Sequence, residues 1–183
     1  MSDSSATLAA AAFAAVVSLV NLLVTALAGR KAEARAAHRE ILNDHLPELA
    51  DSLAQAIAIS HELHQIAVND GGAQRRSNWL ERAAVVVKDL KAQRPRVRYQ
   101  LWGLDEGLRT MARVPDWINR YVGDHVALGH DFLEEADRLG EVLDDAIRRS
   151  YQQGRPPTKR SARHVQRQAA RVRAAWESHQ RVP

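Results

Sequence analysis

Apolar residues return every three or four positions along most of the chain and alternate nowhere for more than a few residues. That is the helical period, and it predicts an all-α fold. The first stretch breaks the rhythm by being apolar throughout. From Ala6 to Ala28 there are 23 positions without a charge. A helix of that length spans about 35 Å, against a bilayer hydrocarbon core of about 30 Å. Leu8, Phe13, Val16, Val17, Leu19, Val20, Leu22, Leu23, Val24 and Leu27 decide the reading. At about −0.3 to −0.6 kcal/mol each they outweigh Ser18, Asn21 and Thr25. A transmembrane helix is therefore expected over 6–28, behind a short extracytoplasmic N-terminus over 1–5. A buried core helix rarely needs so many uncharged residues. A cleaved signal peptide, for which Ala26-Leu27-Ala28 would serve as the site, starts with basic residues, and here only Asp3 precedes the run.

Inside the run, Thr7, Ala11, Ala14, Ser18, Asn21, Thr25 and Ala28 recur at alternating spacings of four and three. Small seams let helices approach closely in lipid, and Ser, Thr and Asn can hydrogen-bond across the contact. Ala11, Ala14, Ser18, Asn21 and Thr25 are the candidate self-association seam; chance patterning in an Ala-rich helix is the competing explanation.

Beyond the run, residues 29–154 predict an antiparallel helical bundle. Ala32–Ala37 are good helix formers, and Leu42, Leu46, Leu49, Leu53, Ala56, Ser60 and Leu63 continue a stripe that Pro47 should interrupt near Asn43-Asp44. Asn69-Asp70-Gly71-Gly72 reads as a turn, with Ser77 or Asn78 as the next helix cap. Trp79, Leu80, Ala83, Ala84, Val87 and Leu90 form the following apolar face, up to Pro95. Val97, Leu101, Leu104, Leu108 and Met111 follow at heptad spacing, with Gly103 and Gly107 either breaking that helix or letting it pack closely. Pro115-Asp116 starts a short element carrying Trp117, Ile118 and Tyr121. Gly123-Asp124 opens a helix striped by Phe132, Ala136, Leu139, Leu143 and Ala146, which Gly154-Arg155-Pro156-Pro157 ends. The tryptophans Trp79, Trp102 and Trp117 read as core.

Charge changes the picture at both ends. The net +4 conceals eight basic residues against one acid from Arg155 onward, a local +7. Residues 155–183 form a basic amphipathic helix from about Thr158 to Gln180, with Ala162, Val165, Ala169, Val172 and Trp176 on its apolar side. Lys159, Arg160, Arg163, Arg167, Arg171 and Arg173 are its candidate contacts to anionic lipid or an acidic partner, Trp176 adding an aromatic. Nucleic acid would attract the same charges but lies further from a membrane anchor. The alternative is that this helix packs on the bundle and shows a solvated basic face. After the apolar run, Arg30, Lys31, Arg35 and Arg39 place the bulk of the chain on the cytoplasmic side of the cell membrane.

Chemistry adds little. Cysteine is absent, which excludes disulfides and thiolate metal sites. His61-Glu62-Leu63-His64 has its histidines three apart, not the four of a zincin, and no His follows a Glu by three as di-iron bundles require. His130-Asp131 is a weak metal-pair match. Neither a phosphate-binding Gly loop nor a nucleophile elbow is present. No catalytic, cofactor or metal residue is assigned and no cofactor is expected. Arg outnumbers Lys by 22 to 4 and Ala is the commonest residue, a composition typical of GC-rich bacterial genomes. The stretch Arg94-Pro95-Arg96-Val97-Arg98-Tyr99-Gln100-Leu101-Trp102-Gly103-Leu104-Asp105, with Val114-Pro115-Asp116-Trp117, resembles segments of single-pass, all-helical membrane-anchored proteins of high-GC bacteria that have no known activity. The resemblance implies anchor, bundle and basic tail in that order, and no activity or site. The expectation is a membrane-tethered, non-enzymatic interaction or scaffold module with a protein partner or a second copy of itself. An oligomerising membrane-perturbing effector is one alternative. The other is a membrane-bound metal-dependent hydrolase using His61, His64, His130 or Asp131.

Overall fold

The computed structural model describes residues 3–68, 73–123 and 130–180, without the side chains of 3–19, 63, 64, 66–68, 73–76, 121–123, 130, 179 and 180. Every regular element among them is helical: α1 (Asp3–Asn43), α2 (Leu46–Val68), α3 (Ala73–Val97), α4 (Asp105–Met111), α5 (Val114–Gly123), α6 (His130–Gln153) and α7 (Lys159–Gln180). The all-α expectation holds. By contacts the chain divides into two units, residues 1–37 and 38–183.

The first unit is supplied by α1. Every residue from Val20 to Ala37 is exposed, including Val20, Leu22, Leu23, Val24 and Leu27 at 51 to 71%. At 100° per residue these five cover more than half of the helix circumference. Among the described residues no helix is long and apolar enough to cross a membrane, so the expected transmembrane helix over 6–28 is not supported there. The side chains of residues 6–19 lie outside the description.

The second unit is a helical bundle around one apolar core. Pro47 sets its first corner. A proline lacks the N–H of a helix interior and its ring strikes the carbonyl four residues earlier, but it fits a first turn. The helix accordingly stops at Asn43 and restarts at Leu46, with His45 N–H on Leu42 O at 3.0 Å. Leu49, Leu53, Ala56 and Ile59 then face inward along α2. The Asn69–Gly72 turn lies outside the described residues. Ser77 and Asn78 are not caps: α3 is already helical from Ala73, which puts both within its second turn. The inward face of α3 is Trp79, Ala83, Val86, Val87, Leu90 and Val97, whereas Leu80 and Ala84 point outward. The Trp79 indole N–H donates to Ile59 O at 2.7 Å, tying α3 to α2.

Val97, Leu101, Leu104, Leu108 and Met111 are all at most 3% exposed, yet they do not share one helix. Gly103 adopts φ +83°, a left-handed turn that only glycine enters cheaply. Gly107 has the other role: a Cβ there would run into Val165 and lie 3.0 Å from Leu143 Cδ2. One glycine breaks the chain and the other lets α4 lie close to α6 and α7. Asp105 accepts from Arg94 at 2.7 Å and from Arg109 at 3.3 Å, joining the end of α3 to the start of α4.

Gly123 is helical within α5, and α6 is described from His130; Asp124 is outside the described residues. The α6 stripe Phe132, Ala136, Leu139, Leu143 and Ala146 is buried throughout. It ends at Gly154 (φ +60°), whose N–H reaches Tyr151 O at 3.0 Å while Arg155 N–H reaches Ser150 O at 3.2 Å. This paired 5→2 and 6→1 closure is a Schellman stop. Thr158 Oγ1 then accepts from Ser161 N–H at 3.2 Å and caps α7. Helix α7 runs antiparallel to α6 and sinks Ala162, Val165, Ala169, Val172 and Trp176 into the core. Trp176 stacks on Trp117 (5.4 Å between ring centroids, 14° apart) with Phe132 at 6.1 Å. Its expected role as an exposed aromatic is corrected: the indole is a core side chain, 7% exposed.

Candidate functional site

The last turns of α1 are committed to structure. Arg39 donates to Tyr151 O at 3.2 Å and to Gln152 O at 2.8 Å, neutralising carbonyls that the end of α6 leaves open. Ser150 Oγ donates to Arg155 O at 2.7 Å, so the 3.2 Å contact with His38 Nε2 requires the imidazole to be the donor. Burial lowers the His38 pKa from its ordinary 6.5. Of the four cations expected to flank a membrane, Arg39 is thus engaged in the bundle, while Arg30, Lys31 and Arg35 are exposed.

The metal-like constellations do not assemble among the described residues. His61 Nε2 meets Asp137 at 2.9 Å, an exposed bridge from α2 to α6, and Glu62 pairs with Arg82 at 2.9 Å. Asp131 is exposed, and the side chains of His64 and His130 are outside the description. Among the described residues no group of three or more His, Cys, Asp or Glu could hold a metal ion. A cleft of about 250 Å³ between α2 and α3, lined by Gln55, Ala58, Ile59, Arg82, Val85 and Val86, is smaller than usual small-molecule sites.

The seam is partly visible. Thr25 Oγ1 donates to Asn21 O at 2.8 Å, one turn back in its own helix, and both residues are exposed. Ala11, Ala14 and Ser18 have no described side chains.

The outer face of α7 is the most distinctive surface. Arg160, Arg163, Arg167 and Arg171 fall within an arc of about 80° and a length of about 16 Å. All four, with Lys159, are exposed. None has a carboxylate partner among the described residues. Arg173 differs, since it is half-buried against Glu106. On α6 the arginines are placed oppositely: Arg138 pairs with Glu134 and Glu135, Arg148 with Asp144, and Arg149 with Asp145, each one turn back. On α7, arginine follows arginine at those spacings, which costs a helix about 0.2–0.5 kcal/mol per like-charged pair. A hollow of about 810 Å³ runs along this face, lined by Lys159, Arg160, Arg163, Gln166, Arg167 and Ala170.

Beside it lies a feature that sequence reasoning missed. A Cβ on Gly103 would stand 2.6 Å from Ala162 Cβ, so the turn between α3 and α4 lies directly on the first turn of α7. That turn holds Tyr99 and Trp102 out to solvent, 82% and 46% exposed, next to an exposed Arg98. Trp102, expected in the core, is therefore a surface aromatic. The usable signal was its place between a run of arginines and a glycine.

No family model, curated protein or solved structure matches this chain.

Proposed function

We propose that the chain is a membrane-tethered, non-enzymatic interaction module, anchored by the N-terminal part of α1 with the helical bundle on the cytoplasmic side. The observation that carries this reading is the unburied apolar stretch Val20–Leu27, which belongs to the 23-residue uncharged run of the sequence. A helix segment whose apolar side chains are exposed around more than half of its circumference, as these are among the described residues, favours an apolar medium or a protein cover. The run is long enough for a bilayer, and the cations Arg30, Lys31 and Arg35 follow it directly. Association of anchors through Ala11, Ala14, Ser18, Asn21 and Thr25 belongs to the same reading. So does a protein partner for the bundle.

Alkaline extraction of membranes from cells making the full chain tests it. The protein should stay in the pellet, and paired Leu22→Arg and Leu23→Arg should release it. Wild-type protein found in the extract would remove the anchor from the reading. Because the chain has no cysteine, single Ser4→Cys and Gln153→Cys variants report topology. Only the former should react with an impermeant thiol reagent in intact cells.

A further inference from the structure

We propose that the outer face of α7 and the adjoining α3–α4 turn form one docking surface for anionic phospholipid headgroups, with Arg98, Lys159, Arg160, Arg163 and Arg167 meeting phosphates and Tyr99 and Trp102 entering the interface. This rests on the tethered reading above and gives the bundle a specific second hold on the same membrane.

Three observations converge on lipid. The first is charge. Lys159, Arg160, Arg163, Arg167 and Arg171 have no carboxylate partner among the described residues, in a chain that elsewhere pairs its arginines repeatedly, as in Arg82–Glu62, Arg94–Asp105 and Arg138–Glu134. Guanidinium groups recognise phosphate oxygens in paired hydrogen bonds, and a 16 Å row meets several headgroups at once. The second is the exposed aromatic pair. Tyrosine and tryptophan combine an apolar ring with a polar edge, so they settle at headgroup level. The Gly103–Ala162 contact sets that turn at the level of the row's N-terminal end, on the side of α7 that carries Ala162. The third is covalent reach. Only nine residues, 29–37, lie between Ala28 and His38, at most about 35 Å of extended chain. On the tethered reading the bundle stays within that reach of the lipid, and weak contacts act at high effective concentration.

The test uses the full chain carrying a single His164→Cys, labelled with a fluorescent donor, on vesicles bearing an acceptor-labelled lipid. The vesicles are either neutral phosphatidylcholine or phosphatidylcholine mixed with phosphatidylglycerol. The chain should float with both, through its anchor, and energy transfer should be higher on the anionic vesicles. Arg163→Glu with Arg167→Glu removes two attractions of about five-fold each, so the docked-to-undocked ratio should drop about 25-fold or more. Tyr99→Ser with Trp102→Ser should lower transfer while leaving its salt dependence in place. Equal transfer on both vesicle types, or indifference to the Arg→Glu pair, overturns the proposal. Unchanged transfer on vesicles together with binding of a DNA duplex at the same salt also overturns it and points to nucleic acid. A chain that floats only with anionic vesicles, and loses that flotation with the Arg→Glu pair, keeps this surface and defeats the anchor.

Discussion

Replacing Gly107 by alanine separates two effects of opposite sign. In an exposed helix the change stabilises by about 0.5–1 kcal/mol, because glycine loses more backbone freedom on folding. At this position the new methyl meets Val165 and sits 3.0 Å from Leu143 Cδ2, both fully buried side chains. Overpacking a core costs about 1–3 kcal/mol. The balance is a destabilisation of about 1–2 kcal/mol, or a fall in Tm of roughly 2–8 °C for a unit of this size. Urea unfolding followed by far-UV circular dichroism in mild detergent reads it as a lower midpoint with an unchanged slope. Val165→Ala supplies the control, since it removes the atoms that block the methyl. Alone it should destabilise by about 1–3 kcal/mol. Combined with Gly107→Ala it should cost less than the sum of the two single changes by more than about 1 kcal/mol. A Gly107→Ala protein more stable than wild type, or strict additivity in the double variant, would refute the close approach of α4 to α7.

Two further outcomes follow from the bundle. Burial lowers the His38 pKa below 6.5 in the folded state, so the unfolded chain takes up that proton first. His38 therefore contributes stability above about pH 6.5 that is lost as pH falls toward its folded value, then levels off. His38→Gln retains a donor toward Ser150 and should flatten the pH dependence of the urea midpoint relative to wild type; identical slopes would mean that burial there is not felt. Trp176→Ala empties the seat between Trp117 and Phe132 and should cost about 3–5 kcal/mol. Calorimetry showing a loss below about 1 kcal/mol would place the indole outside the core.

Much of the bundle was legible because its helices are two-faced. The stripes Phe132–Ala146 and Ala162–Trp176 repeat at three and four, and all ten side chains are buried. Periodicity has no power where a residue's fate depends on a neighbour far away in sequence. Gly103 and Gly107 look alike as letters; the φ of one and the Val165 opposite the other distinguish them. Trp102 has the same apolar weight as Trp79, but in its turn Leu101 and Leu104 take the inward positions and leave the indole outside. Trp176 sits among arginines in sequence and among Trp117 and Phe132 in space. Of the charge run, Lys159, Arg160, Arg163, Arg167 and Arg171 are exposed with no carboxylate partner among the described residues, whereas Arg173 pairs with Glu106, a division that needed the fold. Arg39 shows the converse, since a residue that reads as a topology signal also closes the end of α6.

The seating of α7 has a consequence for how the protein is made. More than a hundred residues separate Asn43 from Lys159, so a ribosome delivers the apolar N-terminal stretch long before the helix that completes the aromatic cluster. In that interval Trp117 and Phe132 lack their stacking partner, and Gly107 has no Val165 to receive it. Nascent chains thus present their apolar N-terminal stretch first and become fully packed last. A transcript cut short ahead of α7 would yield a protein with an open aromatic seat, the kind of surface by which holdases and quality-control proteases recognise unfinished work.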